Sequence, residues 1–208
     1  YQWSASYSGD VINPAITPES NHNTAAEHVV VTGAGGASAT MGFWQNKNGQ
    51  GLIKAAGTNL ANWLATNFPN LFGAGDPAFS TLNTGPIHFV NLTGASGQNV
   101  ADTFLKFFKV TGPHTYAQIM SNVLAAYFDT VGNNAGAQKF GFGGSLLGNT
   151  ITLTSRQATL LGLPTTTTVG AYLTVVNADR AGKNGVIPSS LFNVFNDVSD
   201  YINQSFDI

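Results

Sequence analysis

Cysteine is absent from the 208 residues, which excludes a disulfide framework, thiolate metal sites and thiol catalysis together. Charge is scarce as well. Asp, Glu, Lys and Arg make up 9% of the chain, against roughly 25% in an average soluble protein, so neutral Gly, Thr, Asn, Ser and Ala must keep the surface hydrated. A formal net charge of −2 supplies no long-range field to steer the chain toward nucleic acid or an anionic membrane, and nucleic acid is not an expected partner. The same shortage removes the self-repulsion that keeps monomers apart, which suits a chain that associates with copies of itself. No apolar run approaches the roughly 20 residues needed to cross a bilayer, so no membrane span is expected. A charge-poor, Asn- and Thr-rich chain without cysteine points to an extracellular or cell-surface location. The start at Tyr1 rather than Met predicts a mature chain whose signal peptide has been removed.

What is present divides into an extended beginning and a mixed remainder. Residues 1–8 alternate strictly, with Tyr1, Trp3, Ala5 and Tyr7 on one face and Gln2, Ser4, Ser6 and Ser8 on the other, the period of a strand with an aromatic side. Pro14 and Pro18 forbid a regular helix in the segment that follows. Residues 1–26 are therefore read as an extended N-terminal arm, and 27–208 as a single α+β domain. Glu27–Thr32 is expected to be a short buried strand running into a turn at Gly33–Gly36.

Beyond the arm, the apolar spacing predicts about five helices. Asn48 is expected to cap the first, which Gly57 closes; Thr58 or Asn59 caps the second, with Leu60, Trp63, Leu64 and Phe68 as its stripe and Pro69 at its end. Asn99–Val110 and Tyr116–Val131 follow, the latter repeating Tyr116, Ile119, Met120, Val123, Leu124, Tyr127 and Phe128 at spacings of three and four. Pro188 and Ser189 open the last, with Leu191, Phe195, Val198 and Ile202 as its stripe. Short strands are expected at Ile87–Val90, Lys139–Phe142, Thr150–Thr154 and along the β-branched stretch Thr165–Val176. The helices would pack with a small, mostly antiparallel sheet.

Several motifs invite chemistry and do not complete it. Val29–Gly36 starts like a dinucleotide-binding turn, but Ser38 stands where the third glycine belongs. Glu19, His22, Glu27 and His28 carry metal-ligating groups, yet they lie in extended chain, where neighbouring side chains point to opposite faces. Asn177, Asp179 and Gly182 occupy positions one, three and six of an EF-hand-type loop. Ala181 and Pro188 replace two of its oxygen ligands, leaving calcium a weak candidate and no cofactor expected. Ser96 and Ser145 lie in glycine-rich segments without a G-x-S-x-G elbow, and no catalytic residue is assigned. Asn91 and Asn203 begin N-x-S/T sequons.

Thr40–Ile53 reads TMGFWQNKNGQGLI. This segment resembles the G-F-W-x-N-K-N-G-Q-x-L-I signature of a group of secreted bacterial surface proteins, and Val194–Ile208, through Phe195, Ile202, Asn203, Asp207 and Ile208, is similar to their closing segment. The resemblance covers residues 40–208, leaves the arm outside, and implies an extracellular setting without an established enzymatic activity. Gly51 stands where those proteins more usually carry alanine. Physically the motif reads as a strand-to-helix corner, with Gly42 opening it, Phe43 and Trp44 anchoring it, and Asn46, Asn48 and Gln50 satisfying free backbone groups.

The functional expectation is a self-assembling filament or sheath subunit, or an adhesive module, in which the face of Tyr1, Trp3, Ala5 and Tyr7 adds as a strand to a neighbouring copy. The alternative is a carbohydrate-binding or carbohydrate-active domain that presents exposed Trp and Tyr to surface glycans.

Overall fold

The computed structural model describes residues 36–74, 88–179 and 186–208. The chain divides into units 1–32 and 33–208, and every described residue belongs to the second. That unit is α+β and mostly helical. Its described residues form nine α-helices and one two-stranded antiparallel sheet.

The first two helices meet at a corner set by short-range hydrogen bonds. Helix α1 (Met41–Gln45) ends at Asn46, whose side chain then caps α2 (Lys47–Asn67) by accepting the N–H groups of Asn48 at 2.8 Å and Gly49 at 3.3 Å. The capping residue is thus Asn46 rather than Asn48, because only a residue outside the helix can turn its side chain back onto the free N–H groups. Inside α2 the helical path breaks at Gly57, with φ 59° and ψ −143°, a conformation that costs glycine little. The sequence break expected there is real. Pro69 does not simply end α2. It opens a further turn, α3 (Pro69–Phe72), where its missing N–H is harmless.

Gly51 lies on the exposed side of α2, and a Cβ added there would meet nothing within 4 Å. Gly51→Ala is therefore expected to raise stability by about 0.5–1 kcal/mol through helix propensity alone, read as an upward shift of the thermal midpoint.

Helix α4 (Gly97–Phe108) is capped by Ser96, which accepts the Asn99 N–H at 3.2 Å. It packs along α2. Helix α5 (Thr115–Asp129) is the centre of the unit, since every one of its 15 residues is buried. The expected stripe faces the core formed with α1, α2 and α4. The opposite side, built from Gln118, Ser121 and Asn122, is covered by the final helix α9 (Ser189–Ser205). Buried amides need partners, and those of Asn203 and Gln118 find them across the helix pair: the Asn203 Nδ2 donates to Gln118 Oε1 at 2.6 Å, and the Gln118 Nε2 donates to Asp200 Oδ1 at 2.6 Å.

Between α5 and α9 the expected strands are only partly present. Lys139–Phe142 is turn, following the short helix α6 (Ala135–Gln138), because Gly141 adopts φ 91° and Phe142 turns inward to the aromatic cluster. His88–Val90 forms no strand; Phe89 instead packs edge-on against Phe72, Phe107 and Tyr116. After a single 3-10 turn at Leu146–Gly148, β1 (Thr150–Thr152) pairs with β2 (Thr166–Thr168) in the register Thr150↔Thr168, Ile151↔Thr167. Helix α7 (Ser155–Leu161) separates them, held by a capping box in which Thr154 and Gln157 satisfy one another's backbone N–H.

The stretch expected to continue as strand through Val176 becomes helix α8 (Val169–Asp179). Val169, Tyr172, Leu173 and Val176 are its buried side, and the Thr168 hydroxyl accepts the Ala171 N–H at 3.1 Å to start it. β-propensity loses here to burial on a helical face. Tyr172 seals α8 to α9: its hydroxyl donates to the Phe195 carbonyl at 3.0 Å and shares a 2.7 Å bond with Ser199 Oγ. Burial raises the pKa of that phenol, so it stays neutral.

Candidate functional site

Residues Gly36–Thr40 form an extended segment that the rest of the unit grips on several sides. Gly36 is bound twice by one side chain: its N–H donates to Asn149 Oδ1 at 3.1 Å and its carbonyl accepts from Asn149 Nδ2 at 2.8 Å. The Ala37 N–H donates to the Asp129 carboxylate. Ser38 forms a parallel bridge with Asp207, donating its N–H to the Phe206 carbonyl at 2.6 Å and accepting the Ile208 N–H at 3.1 Å. Its hydroxyl donates to Asn203 Oδ1 at 3.0 Å, and the Thr40 N–H reaches Asp207 Oδ1 at 3.3 Å. The seat admits only small residues at its start, since a Cβ on Gly36 would overlap Leu146 N and Asp129 Oδ2.

Asp129 is the hub of this clasp. It ends α5, the end where the helix dipole disfavours a negative charge, and it is 2% exposed. Its oxygens accept the Gly143 N–H at 2.9 Å and the Leu146 N–H at 3.1 Å in addition to that of Ala37. Burial pushes the carboxyl up to about 6, against the opposing pull of those three N–H donors. The unfolded value is about 3.9, so between these two values the folded chain holds a proton that the unfolded chain has released. The resulting stabilisation is complete below about pH 4 and is lost as pH rises through about 6, with a limiting slope near 1.4 kcal/mol per pH unit. Urea midpoints measured from pH 4 to 6.5 are expected to fall for the natural chain by more than for Asp129→Asn, which removes this proton uptake; parallel curves would refute the assignment.

The residues singled out from sequence fall in three places. Gly42, Phe43, Trp44, Asn46, Asn48 and Gln50 build the α1–α2 corner, a helix-to-helix junction rather than a strand-to-helix one. Trp44 is fully buried there, stacked on Phe128 at 5.6 Å, and its carbonyl accepts the buried Gln50 Nε2 at 2.9 Å. Asn48 is exposed and contributes its N–H to the Asn46 cap. Asn177 and Asp179 lie in the last turn of α8. The Asn70 N–H donates to Asn177 Oδ1 at 3.0 Å, and the Asn70 Nδ2 donates to the Asn177 carbonyl at 3.1 Å, which takes the first oxygen of the calcium-loop reading. Tyr1, Trp3, Ala5, Tyr7, Glu19, His22, Glu27 and His28 lie outside the described residues. Among the described residues no group of three or more His, Asp or Glu could hold a metal ion, and no helix is long and apolar enough to cross a membrane.

The two sequons part company. Asn91 is half-buried, and its Oδ1 accepts the Thr93 N–H at 2.9 Å. Asn203 is 1% exposed and bonded to both Ser38 and Gln118, so a glycan there would require the α5–α9 seam to open. In the folded unit it is a structural amide.

The clasp joins two distant segments of the unit: Thr40 lies in one, and Asn203, Asp207 and Ile208 lie in the other. Asp129 and Asn149 were not singled out from sequence. Asp129 had a signal, as the only charged residue of α5 placed at its unfavourable end. Asn149 had none, because its partner is 113 positions away. Comparison with known proteins finds no matching family model and no match among curated proteins or solved structures.

Proposed function

We propose that the chain is an extracellular structural protein, a filament or sheath subunit or an adhesive module, whose N-terminal arm joins it to other copies by strand addition while the helical unit serves as its body. The observation that carries this reading is the seating of Gly36–Thr40. The first described residues of the unit lie in a slot that binds their backbone at Gly36, Ala37, Ser38 and Thr40. Load that reaches Gly36 is thereby passed to α5 and α9. Low charge density supports association, since little repulsion opposes it.

The carbohydrate reading needs a flat, exposed tryptophan or tyrosine. Trp44 is fully buried, and Trp63 is half-buried with edge contacts to Phe68 and Tyr127 at 5.8 and 5.4 Å, so neither supplies that platform, whereas Tyr201 is exposed on α9. Deleting residues 1–9 tests the proposal. Electron microscopy is expected to show polymers of the full chain and none of the shortened one, and a shortened chain that still polymerises overturns the role of the arm.

A further inference from the structure

We propose that the clasp is a mechanical lock, arranged so that tension between the start of the unit and Ile208 loads its hydrogen bonds in shear. The inference rests on bond geometry and not on what the arm binds. Ser38 and Asp207 pair in parallel. A pull on the residues before Gly36 drags the first segment back along its axis, while a pull at Ile208 drags the second forward along the same axis. The two segments must slide past one another, so the bonds of Ser38 to Phe206 and Ile208, the Ser38–Asn203 bond and the Thr40–Asp207 bond are strained together. An antiparallel pair pulled at the same two ends would open one bond at a time.

The lock also shields the helices. Load passes from residues 36–40 to 206–208 and Asn203 on one side and to Asp129 and Asn149 on the other, and α1 to α4 and α6 to α8 lie off that path until the clasp breaks. The Asn149 and Asp129 contacts hold the first segment in register from the other side. Two of its bonds, Ser38 to Phe206 and Ile208 to Ser38, are backbone to backbone and survive changes of side chain. A unit built in this way suits a protein that is pulled from both ends.

The absence of cysteine lets paired cysteines be introduced as force handles. Asp207→Ala removes the acceptor for the Thr40 N–H. Ile208→Pro removes the N–H that reaches Ser38, and a proline there favours an extended Asp207, as the bridge already requires. In the full chain held at constant force between its two ends, Asp207→Ala/Ile208→Pro is expected to rupture roughly 30-fold faster, the factor for losing two ordinary hydrogen bonds from the rupture barrier. Ile208→Val, which keeps the N–H, is expected to match the natural chain. A second axis, with handles at the exposed Lys47 and Asp197, leaves the clasp out of the load path and is expected to show no change in the double variant. Unchanged rupture along the end-to-end axis overturns the proposal, and so does equal acceleration along both axes, which would reduce the clasp to general stability. Neither result depends on whether polymers form, so this test and the arm deletion can fail separately.

Discussion

Trp44→Ala is expected to cost about 3–5 kcal/mol and to lower the thermal midpoint by on the order of 10 °C, the largest effect of any single truncation in the α1–α2 corner. The indole is fully buried and touches rings from three separate parts of the chain: Phe128 of α5 stacked at 5.6 Å, Phe142 of the turn after α6 at 5.4 Å, and Phe43 of α1 edge-on at 5.1 Å. Rigid rings anchored on different elements cannot all close on the void, so the cavity term is added nearly in full to the lost transfer energy. Trp44→Phe is the informative companion. The Nε1 finds no hydrogen-bond partner among the described residues, so phenylalanine sacrifices area and no polar contact, and less than half the alanine effect is expected. Calorimetry on both variants decides it; an alanine variant within 1 °C of the natural chain would show that the cluster is not the keystone described.

The second large effect lies five residues away and comes from adding atoms. Gly49→Ala is expected to destabilise by about 2–3 kcal/mol, because a Cβ there would overlap the Phe43 carbonyl oxygen and the Trp44 Cα. Both obstacles are backbone, so no side-chain rotation relieves the clash and α1 must move away from α2. Movement at that point strains the Asn46 cap on Gly49 and the Gln50 bond to the Trp44 carbonyl. Gly51→Ala, two positions further on and open to solvent, carries the opposite sign. Measuring the two glycines together separates helix propensity, which alone would favour alanine at both, from the close approach of two helices. If both substitutions stabilise, the α1–α2 contact is looser than described.

These expectations were within reach of the sequence to different degrees. The stripes of α5 and α9, the break at Gly57 and the polar service of Asn46 and Gln50 all follow from residues within a few positions of one another, where geometry is nearly automatic. The Thr154–Gln157 capping box that starts α7 has the same local character, since the T-x-x-Q spacing is present in the sequence. At Val169–Val176 the local pattern is ambiguous. Val169, Ala171, Leu173 and Val175 alternate as a strand does, while Val169, Tyr172, Leu173 and Val176 recur as a helix face does, and the local pattern cannot choose between them. The choice came from outside, where Gly170 packs close to the Leu147 carbonyl and Tyr172 reaches α9. Asn203 shows the same limit at a single residue: its sequon is a local string, while its burial is a property of the fold.

From sequence alone came the shortage of charge, the absence of thiol chemistry, the helical majority with its small sheet, and the corner built by residues 42–50. All of these depend on composition or on neighbours along the chain. The tertiary structure alone decided the clasp, because its partners are up to 167 positions apart and no pattern in one segment announces the other. It also decided the sense of that contact. Whether two distant segments run side by side in the same direction depends on the whole intervening path of helices, and that direction determines whether a pull slides the bonds together or peels them apart.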